Sequence, residues 1–79
     1  MDPDATLAEL LDAMAVHDWD RVSEVAQNLL RWLNRGGFPP ATLGPKSLGD
    51  QWHRLVAILV CSAADSKAII ACESLKRHA

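Results

Sequence analysis

The stretch SLGDQWHRLVAILVCSAADSKAIIACESLKRHA, residues 47–79, decides how this chain folds. It reads as one long helix with apolar residues on two faces rather than one. At about 100° per residue, Trp52, Leu55, Val56, Leu59, Ala63 and Ile70 gather on one side. A second side carries Ala57, Cys61, Ala64, Ala68, Ala71 and Leu75, a heptad rhythm written in small residues. Ile58 and Ile69 lie on a third, narrower flank. A helix in a small monomer needs one apolar stripe and a polar back. Two apolar faces therefore imply cover on both sides, from other helices or from another copy of the chain.

Upstream of this rod the sequence predicts a short helical hairpin. Its first helix opens either at Asp2, an N-cap followed by Pro3, or at Thr6 with Glu9 as a capping box. Leu7, Leu10, Leu11 and Met14 then share one face. Asp18-Trp19-Asp20 marks a tight connection, with either aspartate able to cap the second helix. Val22, Val25, Ala26, Leu29, Leu33 and one side of Trp32 form that helix's buried stripe. So short a connection lays the two helices antiparallel. Gly36 ends the second helix in a left-handed conformation, Phe38 folds back on its last turn, and Pro39-Pro40 forbids continuation. The expected helices are 4–17, 19–35 and 48–77, with a loop at 36–47 and Ser47 capping the third.

Length bears on assembly. The third helix spans about 40–45 Å, against about 20–25 Å for either helix of the hairpin. Part of the rod must meet solvent or a partner. The bulky stripe is the natural seat for the hairpin. The small-residue stripe suits close approach of the hairpin or of a second chain, and pairing with a second chain is the expectation carried forward. The interface is then Ala57, Cys61, Ala64, Ala68, Ala71 and Leu75.

Composition narrows the function classes. The chain is 79 residues long, 49% hydrophobic and 23% charged, so it is a small globular domain rather than a disordered segment. Its net charge of −2 argues against nucleic acid as a partner. Lys76-Arg77-His78, the basic cluster, suits the negative end of a helix dipole. Lys46 and Arg54 would join that cluster in a nucleic-acid-associated regulator, which is the alternative reading. The acidic start Met1-Asp2-Pro3-Asp4 does not resemble a secretory leader. The run from Leu55 to Ala64 is about half the length needed to cross a bilayer. A cytoplasmic protein without a membrane partner is expected.

The residue types that carry chemistry are present but scattered. Cys61 and Cys72 lie about 16 Å apart on one helix face, too far for an internal disulfide. They read as buried thiols, with a bridge to an antiparallel mate as the minor alternative. His17 beside Asp18 and Asp20 reads as a helix end with capping carboxylates rather than a metal site. His53, Asp65 and Lys67 read as rim polarity. No catalytic residue, cofactor site or metal site is predicted, and a non-enzymatic protein is expected. A pocket for a small ligand between hairpin and rod is a lesser alternative. Trp19, Trp32 and Trp52 are expected to knit the helices into a core. Trp32, Phe38 and Trp52 alternatively form an apolar patch that anchors a partner.

The hairpin resembles tetratricopeptide-type helix pairs in Asp18-Trp19 at its turn and a proline after its second helix. The small residues through which such pairs approach are not at the matching positions, and no second copy follows. No function is carried over. The sequence predicts an all-α, three-helix interaction or assembly protein, homodimeric through its C-terminal helix.

Overall fold

The computed structural model describes the backbone of residues 1–77 and the side chains of residues 1–73. Three helices follow in order: α1 Pro3–Ala15, α2 Trp19–Asn34 and α3 Asp50–Arg77. A single 3-10 turn, Lys46–Leu48, precedes α3. Among the described residues there is no strand, and the fold is all-α.

Local chemistry sets each boundary. Asp2 caps α1, its Oδ1 accepting from the N–H groups of Asp4 at 3.1 Å and Ala5 at 3.2 Å. Thr6 is inside the helix, its hydroxyl donating to the Asp2 carbonyl at 2.9 Å, so the Asp2–Pro3 start is the one used. At the far end the Asp18 N–H donates to the Ala13 carbonyl and the His17 N–H to that of Met14. This is a Schellman closure with His17, at φ 58°, in the left-handed place glycine usually takes. The His17 ring stacks on Trp19 at 5.3 Å. Asp18 then caps α2 by accepting from the Arg21 N–H. The same closure ends α2 at Gly36, φ 88°, where glycine carries no strain.

The expected cap of α3 is displaced. Ser47 lies in the 3-10 turn, Gly49 at φ 95° breaks that turn, and α3 begins at Asp50. From there it runs unbroken for 28 residues.

In the core, α2 packs on both other helices, more extensively on α3 than on α1. Its predicted stripe, Val22, Val25, Ala26, Leu29 and Leu33, is wholly buried. From α1, Leu10 and Ala13 join it, with Leu7 and Met14 at the margin. Leu11, expected on the same face, is half exposed.

On α3 the expected faces are exchanged. Ala57, Cys61, Ala64 and Ala68 are at most 2% exposed and lie in the core shared with α2. Ala71 is half buried, and Leu75 falls outside the described side chains. The bulky residues expected on the hairpin are open instead: Trp52, Leu55, Leu59 and Ile70 range from 44% to 69% exposed. The reason is steric. The stripe of α2 is already built of leucine and valine, and facing helices pack best when large residues meet small ones. An alanine and cysteine face lets the axes approach, whereas leucine against leucine would hold them apart.

The molecule is accordingly a rod, 48 × 22 × 18 Å. Its radius of gyration is 13.3 Å, against about 11.6 Å for a compact chain of this length. By length and composition alone, α3 over Asp50–Glu73 is long and apolar enough to cross a membrane, an 18-residue window of it having a mean hydropathy of 1.9. That segment includes Asp65 and Lys67 and so extends past the apolar run ending at Ala64.

Candidate functional site

Two features of α3 stand out: a polar clasp at its first turn and an open apolar face along its length. The clasp follows from the loop before it. Residues 38–45 lack regular backbone pairing and include three prolines, so their polar groups need partners from side chains.

α3 supplies most of them. His53, 4% exposed, is the buried polar residue of the core. Its Nε2–H donates to the Pro45 carbonyl at 3.0 Å, and its Nδ1 accepts from the Thr42 N–H at 3.1 Å. A carbonyl can only accept, so this pairing places the ring proton on Nε2. The Thr42 hydroxyl lies 2.8 Å from the same Nδ1. Trp52 donates from its indole N–H to the Leu43 carbonyl at 2.8 Å. Arg54 donates to the Leu33 carbonyl at 2.6 Å, closing the C-terminal end of α2. From the other side, the Asp4 carboxylate accepts from the Ala41 N–H at 2.7 Å. Trp32 donates to the Phe38 carbonyl at 2.9 Å, and the two rings meet edge to face at 5.6 Å.

These contacts revise several expectations. His53 is an organising core residue rather than rim polarity. Arg54 is engaged within the fold, which removes it from the set proposed to meet nucleic acid. Trp32 and Phe38 come together, while Trp52 is tied to a different part of the loop, at Leu43. Asp65 is also engaged, accepting from the Ser23 hydroxyl at 2.8 Å across α2 and α3. A sequence signal existed for all three polar residues. His53, Arg54 and Asp65 flank the small-residue face at helical spacing, where a hairpin seated on that face would meet them.

The clasp leaves little room for a ligand. Asp4, Pro40, Lys46, Asp50 and His53 border a cleft of about 220 Å³. Small-molecule sites usually measure about 300–1,000 Å³. Among the described residues, no three His, Cys, Asp or Glu side chains gather as a metal site. Cys61 is sealed in the core, and burial pushes its thiol up to about 11, away from a reactive thiolate. Sealed there, it cannot bridge to another chain.

The open face is the larger feature. Trp52, Leu55, Leu59, Ile69 and Ile70 are each 44% to 69% exposed. Ser62, Ala63 and Ser66 are exposed between the two bulky groups. At the N-terminal half the face continues into an apolar groove of about 350 Å³, bordered by Leu7, Leu11, Leu43, Val56 and Val60. No protein-family model, curated protein or solved structure matches this chain.

Proposed function

We propose that this chain is a small, non-enzymatic helical interaction and assembly protein of the cytoplasm, and that the outer face of α3 is its working surface. The observation that carries the reading is the row Trp52, Leu55, Leu59, Ile69 and Ile70, held rigidly on a continuous helix and open to solvent. Large apolar patches of this kind mark contact surfaces, because leaving them in water costs free energy that a partner recovers. The titratable groups best placed for chemistry support the same reading. His53 is occupied on both nitrogens, Cys61 is sealed, and Asp65 holds Ser23.

A photo-activated cross-linker at position 59, in the full chain inside cells, tests this. It should form an adduct with protein, whereas the same group at Gln27, on the exposed side of α2, should not. Absence of any protein adduct at position 59 removes the reading.

The hydropathy of α3 favours a second reading, in which the same face lies on a membrane. Surface-bound helices of that type usually carry a cationic polar face, and this chain has a net charge of −2. Flotation with anionic vesicles, lost in Leu59→Glu, would favour it over a protein partner.

A further inference from the structure

The single chain is incompletely covered. It exposes 5236 Å² at a mass of 8.6 kDa, where a folded monomer of that mass exposes about 4,700 Å². The bulky residues of the outer face, together with Leu11 and Leu43 beside it, are all 44% to 69% exposed. At roughly 100 Å² of exposed surface each, they offer about 700 Å² per chain. A standard protein interface takes about 800 Å² from each partner, so one such face is nearly enough when matched by its equal.

The order of side chains along the face says what matches it. Bulky residues stand at both ends, Trp52, Leu55 and Leu59 towards one and Ile69 and Ile70 towards the other. Small ones, Ser62, Ala63 and Ser66, fill the middle. Turned end for end about the midpoint between Ser62 and Ala63, the face sets Leu55 against Ile70 and Leu59 against the small Ser66, with Trp52 at the level of Glu73. A two-fold axis requires only such reciprocal matching, residue i against j and j against i, which the chain can supply to its own copy. Charge and dipole set the direction. Parallel pairing would place Glu73 beside its own image and align the two helix dipoles unfavourably, whereas antiparallel pairing avoids both.

We propose that the occupant of this face is a second copy of the chain, crossing antiparallel with the two-fold axis between Ser62 and Ala63. This rests on the reading of the outer face as an assembly surface and names its partner. Leu55 then meets Ile70 of the partner subunit, and Leu59 meets Ser66 of the partner subunit. The small central residues let the two axes approach where they cross.

Light scattering of the full chain over a concentration series should reach twice 8.6 kDa. Leu59→Glu should return it to the single-chain mass with its helical circular dichroism intact. Orientation is read by oxidative cross-linking in a Cys72→Ala background. Leu55→Cys mixed with Ile70→Cys should give a cross-linked pair. Leu55→Cys alone should not, because its two copies lie about 22 Å apart in this register. A single-chain mass at every concentration overturns the pairing. In that case a protein adduct at position 59 leaves the assembly reading standing with another partner, and no adduct removes both. A dimer that survives Leu59→Glu puts the interface elsewhere and overturns the proposal. Efficient cross-linking of Leu55→Cys to itself overturns the antiparallel arrangement.

Discussion

Ala64 and Leu59, five residues apart on α3, point to opposite sides of the helix: Ala64 is 1% exposed against the hairpin, and Leu59 is 69% exposed. The smaller side chain is the buried one, and the same substitution at the two positions should have opposite consequences. Ala64→Glu puts an unpaired carboxylate and extra volume into the core. It should cost more than about 3 kcal/mol, a large share of what an 80-residue domain has. Leu59→Glu should change the stability of the single chain by no more than about 0.5 kcal/mol. Circular dichroism melts of the two variants decide the matter. If Leu59→Glu unfolds the chain as thoroughly as Ala64→Glu, the assignment of faces is wrong.

Why the two faces could not be assigned from the sequence follows from the same pair. Apolar periodicity reports that a face is apolar, not what covers it, and both faces of α3 are apolar. Ranking them by bulk favours Leu55 and Leu59 for the core. Packing depends instead on complementarity with α2, whose Val25, Leu29 and Leu33 require small residues opposite. The element types, the turn at Asp18 and the stop at Gly36 were legible because each depends on local chemistry. The place of His53 beside the small-residue face was legible, but its partners in the clasp were not, because they depend on where residues 42–45 pass over α3. That path is a tertiary property.

His53 joins α3 to the loop through two backbone groups, the Thr42 N–H and the Pro45 C=O, of which the carbonyl also accepts from the Leu48 N–H at 3.1 Å. His53→Ala leaves the Thr42 N–H without its acceptor in a part-buried site, while the Pro45 carbonyl keeps Leu48, and should destabilise the chain by about 1–3 kcal/mol. Trp52→Phe, which removes the donor to Leu43 and keeps the ring, should cost about 1 kcal/mol. Urea unfolding gives both values. A loss below 1 kcal/mol for His53→Ala would mean the clasp contributes little to holding the loop.

Cys61 makes stability depend on alkaline pH. Burial raises its thiol from 9.0 to about 11, because the thiolate is poorly solvated in the core. The folded value lies above the unfolded one. The contribution from the neutral thiol is therefore complete below pH 9 and is lost as pH rises towards 11. At 1.36 kcal/mol per unit the loss is on the order of 2–3 kcal/mol. Cys61→Ala should flatten that decline even if it lowers stability at neutral pH. In the native protein at pH 8, an alkylating reagent should modify half-buried Cys72 well before Cys61. Equal rates at the two thiols would contradict the burial of Cys61.

The hydrogen bond from Ser23 to Asp65, 2.8 Å across α2 and α3, fixes the register of the rod on the hairpin. Two residues further along α3, the Lys67 ammonium lies 5.6 Å from the centroid of the Trp19 ring. A double-mutant cycle with Ser23→Ala and Asp65→Ala should give a coupling of about 1 kcal/mol, since contacting partners depart from additivity by that order. The cycle also separates a seated rod from an inserted one. A helix crossing a bilayer would have to carry Asp65 and Lys67 into hydrocarbon and give up both contacts, at several kcal/mol for the charges alone. The coupling should therefore persist when the measurement is repeated with lipid vesicles present. Its disappearance in vesicles, with helicity unchanged, would show α3 leaving the hairpin for the membrane.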